Sequence, residues 1–318
     1  MINTPKGRIG ASVCIVDFTI NQGPVRVLPL LTVSEASMNL GSALTLKDVD
    51  CLNVIPMTRT RGEDIVAHYE AIFEKTGYPS AFLQDGGSNL KSAVTELNQK
   101  RASKNLDSIP IIFDIGHFSA NVIKRRFDKE AYIQELLDIV TQFNLKVRLT
   151  AYSFLMGPKS RTAGRYMGYM KQVLRWLYRL QKLTVGGGHP IEGSLRQFIL
   201  TIFPDLHKML SRLETFAVVI EIEEFLLIRL KNLGLNSSTR ASIKKKLDQL
   251  PADHFYRVEM LQWLEQTWAI HKKIGITGSL CVSSDIIETA NGIWKQITQR
   301  MALNEATHLV LAFATFFG

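Results

Sequence analysis

The apolar positions of this chain change their period twice. From Ala11 to Ile20 and from Pro24 to Val33 they form two dense, β-branched runs, with Asn21-Gln22-Gly23 between them. A short polar turn between such runs predicts an antiparallel hairpin. A third run, Leu52 to Met57, predicts another strand. From Gly62 to Thr76 the period lengthens: Ile65, Val66, Tyr69, Ile72 and Phe73 recur at helical spacing, and Gly77-Tyr78-Pro79 ends the helix. Ser80 to Leu83 reads as a short strand running into Gln84-Asp85-Gly86-Gly87, and a helix follows through Leu90, Val94 and Leu97. Ile109 to Phe113 is a further apolar strand, ending at Asp114-Ile115-Gly116-His117.

Three strands, helix, strand, helix, strand is an order that builds an α/β fold, a mixed sheet with helices packed on it. It is the ribonuclease-H order, although other mixed folds share it. From 119 to 275 the pattern is helical almost throughout. Tyr132, Ile133, Leu136, Leu137 and Val140 make one apolar face; Tyr166, Met170, Val173, Leu174 and Leu177 make another on a helix from Arg165 to Leu183. A long helical stretch from Ile191 to Leu233 is interrupted at Pro204, and two more segments flank Pro251. Beyond Gly275 a short apolar run, Ser279 to Val282, precedes a helix starting near Asp285. The predicted organisation is a ribonuclease-H-like core over 1–120, a large basic all-α insertion over 121–278, and a returning core segment over 279–318.

Composition narrows the class without naming it. With 46% hydrophobic and 21% charged residues among 318, the balance is that of an ordinary globular protein. No run is long and uncharged enough to span a bilayer, and the first residues lack a signal-peptide pattern, so a cytoplasmic protein is expected. Cys14, Cys51 and Cys281 have no paired spacing, which argues against a zinc site or a disulfide framework; Cys14 and Cys281 read as small buried hydrophobes. Gly186-Gly187-Gly188-His189 is no phosphate loop, since no Gly-Lys-Ser/Thr follows, and nothing points to a nucleotide cofactor.

The placement of charge is more informative than its total of +9. Residues 121–278 hold 25 Lys and Arg against 14 Asp and Glu, while the flanks are slightly acidic. A basic middle suits a polyanion. Within it, Lys171, Arg175, Arg179 and Lys182 recur at helical spacing, opposite the apolar face of their helix. Lys159, Arg161 and Arg165 lie in a basic, small-residue loop just upstream. Together these seven residues are candidate contacts for a DNA backbone, and a solvated helix face would look the same. Trp176, Trp263 and Trp268 suit stacking on an unpaired base or packing in a core.

Candidate chemistry sits at the strand ends. Asp17 interrupts the apolar run of the first strand, where an acid is costly unless paired or bound to a metal; a solvent-facing position near the strand end is the alternative. Asp85 ends the fourth strand before two glycines that permit close backbone approach, and it equally suits a turn or cap. Glu288 follows Asp285 by three residues, which locally reads as a capping box. His117 follows Asp114 by three and suits a proton carrier, a hydrogen-bond donor to phosphate or carboxylate, or a structural pair.

Taken in order, Val16-Asp17-Phe18 through Gly23, Gln84-Asp85-Gly86-Gly87, Phe113-Asp114-Ile115-Gly116-His117, the stretch from Phe154 to Met167, and Ser283-Ser284-Asp285 through Glu288 resemble bacterial insertion-sequence transposases of the acidic-triad (DDE) type. The resemblance covers about residues 11–300. It implies that Asp17, Asp85 and Glu288 hold two Mg²⁺ or Mn²⁺ ions, with His117 beside them. It also implies two-metal hydrolysis and strand transfer on double-stranded DNA at the ends of a mobile element. A homodimer or larger assembly on DNA, associated with the bacterial nucleoid when bound, follows from the same resemblance. Such transposases carry an N-terminal domain that reads the element's ends, whereas Met1 lies 16 residues before Asp17. A truncated or internally started copy is therefore expected, and an inactive remnant that only binds DNA is the alternative.

Overall fold

Five consecutive residues, Ser12–Val16, are wholly inaccessible to solvent and form strand β1. A strand buried on both faces has to lie in the middle of a covered sheet, and the pairing puts it there. The computed structural model describes residues 11–18, 20–22, 24–159, 166–185, 190–300 and 315. Among these, the strands are β1, β2 (Ile20–Gln22), β3 (Val25–Ser34), β4 (Asp50–Met57), β5 (Ala81–Gln84) and β6 (Ile111–Phe113). The helices are α1 (Glu35–Met38), α2 (Gly62–Thr76), α3 (Ser88–Ala102), α4 (Ile115–Phe127), α5 (Ala131–Val147), α6 (Tyr166–Val185), α7 (Pro190–Ile202), α8 (Leu206–Arg212), α9 (Glu214–Leu233), α10 (Ser237–Leu247), α11 (Phe255–Lys273) and α12 (Asp285–Arg300).

The expected hairpin is present. β1 and β2 both pair antiparallel with β3, and β4 pairs antiparallel with β3 as well. Between Val16↔Leu30 and Ile20↔Val27 the first side advances four residues and the second three. One extra residue therefore lies on the β1–β2 side, the signature of a bulge, and Asp17 stands where it begins. On the other edge β1 pairs parallel with β5, and β5 parallel with β6. The result is a mixed sheet flanked by helices, the α/β architecture read from the order of elements.

One face of the sheet is closed by α2 and α3. Cys14, Val16, Leu28, Leu30 and Phe82 meet Val66, Tyr69, Phe73, Leu90 and Val94 there in one apolar cluster. Tyr69 stacks on Phe82 at 5.2 Å and Phe73 meets the same ring edge-on at 5.8 Å. Gly62 lets the two helices approach: a side chain at that position would come within 2.6 Å of the Ser92 hydroxyl.

The chain divides into two compact units, Met1–Phe118 with Phe225–Gly318, and Ser119–Glu224. Helices α10 and α11, which share the helical period of 121–278, fall in the first unit. Side-chain and backbone contacts tie that part of the chain to the rest of its unit. The Trp263 indole N–H donates to the Phe113 carbonyl at 3.1 Å, Leu235 pairs with Leu280, and Asn236 donates to the Ser279 hydroxyl at 3.0 Å. The second unit is helical. Its core includes Phe143 edge-on to Trp176 and Phe127 edge-on to Phe216, and the Trp176 indole donates to the Leu155 carbonyl at 2.8 Å. The break expected at Pro204 separates α7 from α8, and a second break follows Arg212. Among the described residues, no helix is long and apolar enough to cross a membrane. All three cysteines are free and buried.

Candidate active site

The registers of the parallel strands line up the acids. β1 and β5 pair at an offset of 68 residues (Val13↔Ala81, Cys14↔Phe82, Ile15↔Leu83), and 85 − 17 is also 68. β5 and β6 pair at an offset of 29 (Phe82↔Ile111, Gln84↔Phe113), and 114 − 85 is also 29. Asp17, Asp85 and Asp114 are thus each the first residue beyond the C-terminal end of one of three adjacent strands. The Asp114 N–H donates to the Gln84 carbonyl at 2.9 Å, which carries the pairing to the edge of the row.

Each acid is held differently. Asp85 accepts from the Gly87 N–H at 2.8 Å, closing a tight turn in which Gly86 has φ +91°. That conformation is open to glycine and strained for side-chain residues. Asp114 is buried, and its Oδ1 accepts from both the backbone N–H (2.7 Å) and the ring Nδ1 (3.0 Å) of His117. Its Oδ2 accepts from the Ser284 N–H at 2.6 Å and the Ser284 hydroxyl at 3.0 Å. Burial alone would raise the Asp114 pKa, but these bonds hold it below the ordinary carboxylate range. The same bond to Asp114 raises His117 from 6.5 to about 9, with the charges of Asp17 and Asp85 adding to the effect, so the imidazolium is the resident cation of the row. Asp17, half-buried, is pushed up to about 7 by burial and then by the charge of Asp85, against the opposing charge of His117.

The structure therefore brings together Asp17, Asp85 and His117, and adds Asp114. Glu288 is on the first turn of α12 and is exposed; Ser284, just before that helix, touches Asp114. Among the described residues no group of three His, Cys, Asp or Glu side chains is close enough to hold an ion. Asp17 and Asp85 by themselves fit a divalent cation: both are hard oxygen donors, and their mutual repulsion is what such a charge would relieve. Asp285, the residue expected to cap α12, pairs with Lys231.

Lys91 is a cation that the sequence pattern did not single out. It is exposed on α3, yet its Nζ lies 4.7 Å from the centroid of the Phe113 ring and 3.5 Å from where a Gly86 side chain would begin. It has no carboxylate partner among the described residues. The signal was available as a lysine one helical turn after the Asp-Gly-Gly turn, but nothing local says which way it points.

Of the expected DNA contacts in the second unit, Arg161 and Arg165 lie outside the described residues. Lys159, Arg179 and Lys182 are exposed. Lys171 is paired with the buried Glu223 at 2.6 Å, and Arg175 with Glu224 at 3.1 Å, so half of the α6 stripe is already neutralised. No protein-family model matches the chain, and no curated protein matches it either.

Proposed function

We propose that this chain is the catalytic portion of a DNA transposase, a ribonuclease-H-like domain with the helical unit Ser119–Glu224 inserted ahead of its last helix. The observation that carries the reading is the row of Asp17, Asp85 and Asp114 at the ends of three adjacent strands, with one imidazolium among them. The strand order, β4-β3-β1-β5-β6 with β2 extending β1 along β3, supports the same fold.

Asp17 and Asp85 would hold the divalent ions, Mg²⁺ or Mn²⁺, with Glu288 completing the set. When bound, such ions activate an attacking hydroxyl and stabilise a leaving oxygen in phosphodiester cleavage. The chain's own residues do the positioning. Asp114 keeps His117 protonated and oriented, so that its free ring N–H can donate to a phosphate oxygen. Lys91 presents a second cation beside the Asp85 turn for the DNA backbone. Double-stranded DNA is the substrate, and a homodimer or larger assembly would handle two element ends together.

Mg²⁺- or Mn²⁺-dependent cleavage of DNA carrying the element's ends tests the reading. The wild-type protein should cut and join such ends, and Asp85→Ala should bind the DNA without cutting it. The exposed position of Glu288, outside any three-ligand group, favours a second reading, a remnant that binds DNA but has no chemistry. A protein that binds equally well in chelator and never cuts would establish that one instead.

A further inference from the structure

Of the three tryptophans that suit base stacking, Trp176 and Trp263 are buried with their indole N–H groups bonded to carbonyls. Trp268 is not. It lies five residues after Trp263 on α11, which turns it about 140° around the helix from the side anchored to Phe113. It is half-buried, and two cations flank its ring, the Arg240 guanidinium at 5.3 Å and the Lys272 ammonium at 5.8 Å. Arg240 in turn shares one carboxylate, Glu265, with Lys244 at 2.5 and 2.7 Å. Residues 225–247 contain six Lys and Arg and no Asp or Glu. α10 carries no acid of its own. Lys245, Lys272 and Lys273 are exposed and have no acidic partner among the described residues. Arg240 and Lys244 are neutralised by Glu265 and Lys231 by Asp285, whereas Lys245, Lys272 and Lys273 are cations that an external anion can still meet.

We propose that α10 and the C-terminal half of α11 form a second DNA-binding surface, in which Lys245, Lys272 and Lys273 contact backbone phosphates and Trp268, held between Arg240 and Lys272, packs against the strand. The surface belongs to the unit that carries the acidic row, through the anchor from Trp263 to the end of β6. The inference rests on the reading of DNA as the substrate. A phosphate chain is the partner that fits, since it supplies regularly spaced anions to these lysines.

The test is DNA binding by the full chain in chelator, by fluorescence anisotropy on a duplex of about 30 base pairs over a salt series. The triple variant Lys245→Ala/Lys272→Ala/Lys273→Ala should lower the slope of log K against log salt by about 2 to 3 and weaken binding at least ~10-fold near physiological salt. The charge-matched variant Lys47→Ala/Lys75→Ala/Lys104→Ala, altered at exposed lysines elsewhere, should leave the slope unchanged. Quenching of tryptophan fluorescence by DNA should diminish in Trp268→Phe. An unchanged slope in the first variant, equal losses in both, or no DNA binding by the wild-type protein would overturn the proposal. Metal-dependent cleavage with an unchanged slope would leave the transposase reading standing without this surface. A slope that depends on these lysines in a protein that never cuts would leave the surface standing without the transposase.

Discussion

Asp114 and Ser284 stand 170 residues apart in the chain and share two hydrogen bonds, both ending on Oδ2 of the aspartate. The other oxygen takes the backbone and ring of His117. A buried carboxylate with four donors is satisfied in a way that a solitary acid in a sheet is not. It joins the start of α4 to the residue just before α12, and so sets where the helix carrying Glu288 begins. The acid in the Asp-x-x-His element is thus a tie between distant segments, which leaves Asp17 and Asp85 as the acids with capacity for a ligand.

Asp114→Ala should therefore damage both structure and charge. Removing the carboxylate leaves the Ser284 and His117 donors without their acceptor in a buried place, a loss of about 3 kcal/mol. Denaturant unfolding should show it as a lower midpoint at unchanged slope. In the same variant the His117 midpoint, followed by NMR of the imidazole, should fall from about 9 towards 6.5, because the bond to Asp114 is the main cause of the shift. A midpoint that stays near 9 would assign the shift to Asp17 and Asp85 instead.

Asp17→Asn should stabilise the metal-free protein while abolishing metal-dependent behaviour. The folded state binds the Asp17 proton more tightly than the unfolded chain, with a pKa of about 7 against 3.8. Stability from this group is accordingly highest below pH 3.8 and is lost as pH rises through 7. At pH 8 the asparagine variant should exceed wild type by up to about 4 kcal/mol, and the difference should vanish near pH 4. Mg²⁺ should raise the melting temperature of the wild type at pH 8 and not that of the variant. Equal stabilisation of both by Mg²⁺ would remove Asp17 from the ligand set.

His117→Gln reads the same row from its cationic side. A folded pKa of about 9 against 6.5 gives stability that is complete below 6.5 and is lost as pH rises through 9. The ring is partly exposed, so solvent screening holds the expected advantage of wild type to about 1 kcal/mol at pH 6. Unfolding curves of the two proteins should converge above pH 9. If the gap is the same at every pH, the histidine acts through packing and not through its charge.

Much of the first 120 residues was legible from period alone. α2 has the predicted bounds, and the runs around β1, β3, β4, β5 and β6 became strands, since alternation and turn residues are local properties. The meeting of Asp17 with Asp85 was less accessible, because the 68-residue offset has meaning only once β1 and β5 are known to pair. Helices were harder to sort. α10 and α11 carry the same 3.6-residue period as α5 and α6, and only tertiary contacts such as Trp263 to Phe113 separate them. The α6 stripe looked uniformly available for DNA, yet Lys171 and Arg175 meet Glu223 and Glu224 some 50 residues later, a pairing without local signal. The break between α8 and α9 has neither Pro nor Gly to announce it.

Lys91 gives the sharpest separation of binding from chemistry. Most exposed lysines on helices project into water, whereas this one lies over Phe113 beside the Asp85 turn, with no acidic partner among the described residues. If its role is to receive a phosphate, Lys91→Ala should weaken DNA binding three- to tenfold and reduce the salt slope by about 1, the change expected for one lost contact. Mg²⁺-induced stabilisation should be unaltered, since Asp17 and Asp85, the proposed donors, are untouched. Lys91→Arg keeps the charge and should recover most of the affinity. Phe113→Leu keeps the lysine but removes the ring that holds it, and should fall between the two. Loss of metal response in Lys91→Ala would instead make the residue a support of the Asp85 turn, and recovery by arginine is the outcome a purely structural role would not produce.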